Sequence, residues 1–180
     1  MDAKLEYLES EGMYPRVVLE GILGAREKVR VATATLKNLH ADTGKKKLES
    51  AVRFLFDLAR RGVSIEVLHG APPSGPFQAE LRDAWPPPEG RLRLRLCPRV
   101  HFKAVVVDYI ALYVGSANFT GAGLGAKSPR RRNFEIGFWT ESPDLLDRVN
   151  MLFDRIWSGE ACNDCGRRNV CPVPLEEYAP

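Results

Sequence analysis

No stretch of this 180-residue chain approaches the ~18 consecutive apolar residues that mark a membrane-crossing helix. The opening segment, MDAKLEYLESEGMYP, carries acidic residues where a secretory leader has a basic start and an apolar run, so a cytoplasmic protein is expected. Charge of one sign is not in large excess: 26 Lys and Arg stand against 23 Asp and Glu, and the net charge of +3 does not by itself mark a nucleic-acid binder. Histidine is scarce, limited to His40, His69 and His101, and so is cysteine, limited to Cys97, Cys162, Cys165 and Cys171. Without a leader, a disulfide framework is not the expected use of those cysteines. Internal repeats are absent.

What remains is ordinary globular composition, in a chain long enough for one domain with a full hydrophobic core. Apolar spacing predicts a helix from about Tyr14 to Arg26 and a strand beginning near Val29. Leu48, Ala51, Val52, Leu55, Leu58 and Ala59 recur at helical spacing after Lys45, Lys46 and Lys47, which are expected to open that helix, and Gly62 stops it. VSIEVLHG reads as a buried strand. A proline-rich excursion follows, from APPSGP through a short helix to WPPPEG, because proline lacks an amide donor and fixes its own φ.

RLRLRLC alternates arginine and leucine as an edge strand with one wet face does, and KAVVVD, ALYVGS and NFEIGFW follow as strands, the last expected to be central. Ser142 and Pro143 supply an N-cap and first turn for a helix whose inner stripe is expected at Leu145, Val149, Leu152, Phe153 and Ile156. Helices alternating with strands ahead of a strand cluster indicate an α/β sandwich.

One stretch concentrates the chemistry. His101 to Asn118 read HFKAVVVDYIALYVGSAN, giving the spacing H-x-K-x4-D-x6-G-S-x-N. Strand residues two apart share a face, so His101 and Lys103 are expected to project together, as are Ser116 and Asn118 on the neighbouring strand. A nucleophile or acid, a fixed cation and two neutral hydrogen-bonding groups then converge on one anion. A phosphodiester suits such a set. Asp108 lies an odd number of positions from Lys103 and is expected to be structural, capping a turn or tying backbone amides. Glu135 is the candidate to orient His101, since a carboxylate on a central strand needs a polar or cationic neighbour.

These residues match every defined position of the HKD signature and resemble the phospholipase D superfamily, over most of the chain from Val29 to Trp157. The resemblance implies a phospholipase D-like sandwich, a central mixed β-sheet flanked by helices, over residues 1–158. Gly115 then belongs to the scaffold of the motif with Asp108. It also implies a two-step displacement in which a histidine attacks phosphorus, a second histidine protonates the leaving oxygen, and water releases the phosphohistidine. In members resembling this chain, an acidic residue following the Gly-Ser-x-Asn element serves the histidine. No metal is needed for that chemistry, because Lys103 and its counterpart supply the positive charge.

The signature occurs once, so the second histidine is expected from a homodimer with paired His101 residues at its two-fold axis. His40 and His69, neither in a lysine-bearing copy of the motif, are the lesser alternative. Lys127, Arg130, Arg131 and Arg132 either form a solvated charge run or neutralise the flanking phosphates of a nucleic acid.

Residues 159–180 are expected to form a cysteine-bearing tail packed on the same domain. The run C-x2-C-x5-C at Cys162, Cys165 and Cys171, with Cys97 upstream, has the ligand count of a tetrathiolate metal site. Structural zinc is the expected occupant; a [4Fe-4S] cluster and plain buried thiols are the alternatives. The favoured function is a metal-independent nuclease cleaving DNA or RNA, with a cardiolipin-type phospholipid hydrolase and a non-catalytic nucleic-acid-binding module as the competing readings.

Overall fold

The computed structural model describes residues 5–167 together with Cys171. Strand β1 (Leu5–Glu9) runs into helix α1 (Ser10–Met13), which continues as a π-helical stretch, Tyr14–Ile22. Strand β2 (Lys28–Thr33) is followed by a small ribbon of β3 (His40–Ala41) and β4 (Glu49–Ser50). Then come α2 (Ala51–Arg60), β5 (Ser64–His69), α3 (Gly75–Ala84) and β6 (Leu92–Leu96). Strands β7 (Lys103–Val107), β8 (Ala111–Gly115) and β9 (Ile136–Thr140) precede α4 (Pro143–Trp157).

Seven strands form one sheet in the order β1-β9-β8-β7-β2-β5-β6. Pairs β2–β5 and β5–β6 are parallel, because α2 and α3 return the chain to the starting end of the sheet. The other pairs are antiparallel, so the sheet is mixed. Both faces carry packed helices. Val29, Val31, Ile65, Val67, Val105 and Tyr113 pack into the core shared with the N-terminal helix and α2. On the other face Ala32, Leu68, Ala104, Val106 and Leu112 meet Leu146, Phe153 and Trp157 of α4. The result is the α/β sandwich that the residue pattern predicts.

Three details differ from the pattern. Strand β1 was not foreseen in the charged LEYLE segment; it pairs with β9, which is therefore second from an edge and not central. Helix α2 begins at Ala51, not at the lysines, because Ser50 caps it and the Ala51 amide is taken by the Leu39 carbonyl at 2.7 Å and Asn38 Oδ1 at 3.0 Å. Lys45 stays outside the helix and bridges Glu49 at 2.8 Å and Asp57 at 2.7 Å.

The inner stripe of α4 is rotated from the expected one, burying Leu146 while leaving Leu145 and Leu152 41% and 43% exposed. Polar residues explain the rotation. Arg30 of β2 points at α4 and donates to Glu66 at 3.0 Å, Asn150 at 3.0 Å and Asp154 at 2.6 Å, while Lys28 reaches Glu66 at 2.7 Å. A buried guanidinium without such partners is costly, so α4 turns Asn150 and Asp154 towards it.

Candidate functional site

The site forms where β7 begins and β8 ends. Lys103 pairs with Gly115 and Gly115 pairs with Gly137, so the first residue of β7 lies beside the last of β8. His101 is exposed just ahead of β7. The Lys103 ammonium donates to the His101 carbonyl at 2.6 Å and lies 3.3 Å from Nδ1 of its ring. Within the motif, Lys103 and Gly115 lie in the ladder, whereas His101, Ser116 and Asn118 flank it in loops.

Those loops are held by side-chain bonds. The Ser116 amide donates to the Ile136 carbonyl at 2.9 Å and its hydroxyl accepts the Ile136 amide at 3.1 Å, while the same hydroxyl contacts the Glu135 carboxylate. Asn118 Oδ1 accepts the Thr35 amide at 3.0 Å and the Thr33 hydroxyl at 3.2 Å, and Thr33 Oγ1 accepts the Phe119 amide at 2.9 Å. Asn118 therefore ties the Gly-Ser-x-Asn turn to the end of β2. Polar side chains of this kind compete with the strand ladder for backbone groups, which is why β8 stops at Gly115.

Beneath the turn lies Tyr113, a residue that strand periodicity marks only as core. Its phenol accepts the Ala117 amide at 3.4 Å and donates to Met13 Sδ at 3.5 Å. Burial pushes that phenol up to about 12, the Ala117 amide pulls the other way, and the charge of Glu135 adds to the rise. A Cβ at Gly115 would lie 2.6 Å from the Tyr113 oxygen and 2.5 Å from the Ile136 carbonyl, and one at Gly137 would lie 2.4 Å from the Tyr113 ring. Both glycines are thus required for the phenol to pass under the turn.

Asp108 sits away from this cluster at φ 51, in the turn between β7 and β8. Its carboxylate accepts the amides of Arg26 at 3.0 Å, Glu27 at 2.8 Å and Lys28 at 2.8 Å. Burial raises its pKa, but the amides of Lys28, Glu27 and Arg26 outweigh that and hold it below the usual carboxylate range.

Glu135 lies just before β9. Its carboxylate meets Ser116 and accepts from Asn133 Nδ2 at 3.0 Å, and its amide donates to Ser10 Oγ at 2.8 Å. Within one chain its bonds thus run to the Gly-Ser-x-Asn turn and to α1, not to the His101 ring. The basic loop leads into this acid. Lys127, Arg130 and Arg131 are exposed, whereas Arg132 donates to Glu11 at 3.0 Å, and the Asn133 amide closes the loop onto the Ala122 carbonyl at 3.0 Å.

His40 lies on the β3–β4 ribbon, and His69 is fully buried with Nδ1 2.9 Å from the Ala71 carbonyl. Burial lowers the His69 pKa, against that hydrogen bond. Cys97, Cys162, Cys165 and Cys171 line one cavity of about 380 Å³ that His101 also borders. Among the described residues no three His, Cys, Asp or Glu side chains stand close enough to hold a single ion.

Sequence reasoning missed Ser10, Thr33 and Tyr113. Each acts on the motif through pairing across the fold, and only the glycine beside Tyr113 carried a signal of close approach.

A mixed sheet between helical layers, with His, Lys, Ser and Asn gathered at the β7–β8 end, is the arrangement of a phospholipase D-like domain. The chain belongs to the family described as cardiolipin synthase, PLD-like domain, whose pattern matches residues 18–157. Cardiolipin synthase B of Salmonella typhi is 30% identical in an alignment over 156 residues that covers 80% of this chain and 36% of that relative. The chain therefore spans only 36% of the length of the curated relatives it matches.

Among solved structures, Nuc of Salmonella typhimurium, a phospholipase D family member, is similar with a TM-score of 0.64 at 17% identity, covering 99% of this chain and 100% of Nuc. NucT from Helicobacter pylori gives 0.63 at 15% identity, covering 86% of this chain and 95% of its own. Both likenesses concern the fold. Among the described residues no helix is long and apolar enough to cross a membrane.

Proposed function

We propose that this chain is a nuclease that cleaves DNA or RNA phosphodiesters without a catalytic metal, in a site completed by a second copy of itself. The observation that carries the reading is the adjacency of His101, Lys103 and Ser116 in a chain with one such motif, at the foot of a loop exposing Lys127, Arg130 and Arg131.

In this reading an imidazole nitrogen of one His101 attacks phosphorus, and the bond to the leaving oxygen breaks. The protonated His101 of the second copy gives that oxygen its proton. The same ring, now neutral, takes a proton from water, which attacks the phosphohistidine and restores the first imidazole. Lys103 from each copy offsets the charge on the non-bridging oxygens, and Ser116 and Asn118 frame the phosphate. Glu135 supports the turn that carries Ser116. The loop cations bind neighbouring phosphates and position the strand without reading its bases.

An apolar shelf beside Ser116 supplies the pairing surface. Tyr7 and Phe138 meet edge to face with centroids 5.7 Å apart, and Leu5 and Ile136 are both 55% exposed on the same face. A second copy related by a two-fold axis would cover these side chains and bring its own His101 to the site. Phe138→Asp is then expected to yield a folded monomer that has lost turnover.

A second reading has its own support: the family description and the 30% identical relative both name cardiolipin synthase. It makes the substrate a phospholipid diester. The test offers single- and double-stranded DNA and RNA, and separately anionic liposomes, to the wild-type chain and to His101→Asn in chelator. Nucleic-acid cleavage abolished in His101→Asn supports the nuclease. Headgroup release with nucleic acid intact overturns it in favour of the lipid reading, and salt-dependent binding without cleavage overturns both in favour of a binding module.

A further inference from the structure

The cavity of about 380 Å³ beside His101 collects all four cysteines of the chain, although they come from two regions far apart in sequence. Cys97 follows β6 and opens the turn that ends at His101: its amide donates to the His69 carbonyl at 2.9 Å, and its carbonyl accepts the Val100 amide at 2.8 Å. The other three follow α4. A short turn from Gly159, at φ 87, carries Cys162, and successive bonds bring in the Cys165 amide to the Cys162 carbonyl at 3.3 Å and the Cys171 amide to the Arg167 carbonyl at 3.0 Å.

The two regions are already joined without the sulfurs. Arg167 donates to the Pro98 carbonyl at 3.4 Å, and Arg95 of β6 donates to the Trp157 carbonyl at the end of α4. Arg99, Arg155 and Arg167 line the same cavity. Four thiolates around a divalent ion leave a net charge of about −2, and guanidinium groups around them offset it.

We propose that Cys97, Cys162, Cys165 and Cys171 bind one structural zinc ion that clasps the segment after α4 to the turn delivering His101. Four sulfurs provide a closed tetrahedral shell, with no position left for a substrate or a catalytic water. Nothing in the nuclease chemistry requires electron transfer, and partly buried cysteines lining a surface cavity suit a redox-inert ion better than an oxygen-sensitive cluster. Closing the shell brings the four sulfurs together, since among the described residues no three ligands are within reach of one ion as the side chains stand. Binding and local folding are therefore one event, and the ion releases the thiol protons as it binds.

The test uses the full chain purified anaerobically without added metal. Elemental analysis is expected to give one zinc per chain, a colourless solution, and thiols that react with a disulfide reagent only after a chelator is added. His101→Asn should keep its zinc, which separates failure of this proposal from failure of the nuclease reading. Cys165→Ser should lose zinc; should that variant not fold, thiol protection in the wild-type chain still decides. Thiols that all react at once in native protein, or stoichiometric iron with visible absorption, overturn the zinc site.

Discussion

The Lys103 ammonium stands 3.3 Å from Nδ1 of His101 and fixes the His101 carbonyl at 2.6 Å, so the motif's cation positions its histidine even before substrate arrives. Lysine does this as a compact point charge on a flexible stem, whereas arginine presents a planar fork. Lys103→Arg is therefore expected to keep the net charge and the fold, yet lower kcat by about 10²- to 10³-fold, the range for loss of one stabilising donor. Steady-state cleavage with circular dichroism checks it. Turnover within a few-fold of wild type would remove Lys103 from the chemistry.

Tyr113 supports the turn from below, and burial pushes its phenol, already neutral at physiological pH, up to about 12. Tyr113→Phe removes the acceptor of the Ala117 amide while keeping the ring that fills the space beneath Gly115 and Gly137. Stability is expected to fall by about 0.5–1.5 kcal/mol, the net worth of one hydrogen bond. The larger effect should appear in kcat and not in KM, since the loop geometry around Ser116 and Asn118 is what loosens. Equal changes in both would assign Tyr113 to the core alone.

Asp108 links the β7–β8 turn to the start of β2 through three amides. Its folded-state pKa lies below the value of about 3.9 that an unfolded aspartate has. The stability it contributes is thus complete above the unfolded-state value and is lost as pH falls through the folded-state value. Asp108→Asn keeps a residue type that tolerates positive φ but removes the charge, and is expected to cost about 1–3 kcal/mol at neutral pH. The variant should lose less on acidification than wild type does. Parallel denaturation midpoints from pH 7 to pH 3 for both proteins would contradict this.

The layering of the fold was legible because its elements obey simple periods: alternation in RLRLRLC, helical spacing across Ala51–Ala59, and proline after Ser142. Strand β1 was not, since LEYLE mixes acidic and apolar residues and its strand partner is β9, far downstream in sequence. The turn of α4 was hidden for a related reason. It follows from Arg30, 120 residues upstream of Asn150, and no local window contains both. At the site, the identities of His101, Lys103, Ser116 and Asn118 were readable from spacing, but their support was not. Thr33, Tyr113 and Ser10 reach the motif only through sheet register and helix docking.

Covalent capture at His101 tests the central claim, that one phosphodiester site is built from the His101 residues of two copies. Rapid quench during turnover of a labelled oligonucleotide, followed by peptide mass spectrometry under alkaline conditions, should find a phosphoryl adduct on His101 alone and on no more than half of the chains. Wild-type turnover without any His101 adduct, together with residual cleavage by His101→Asn, would contradict it.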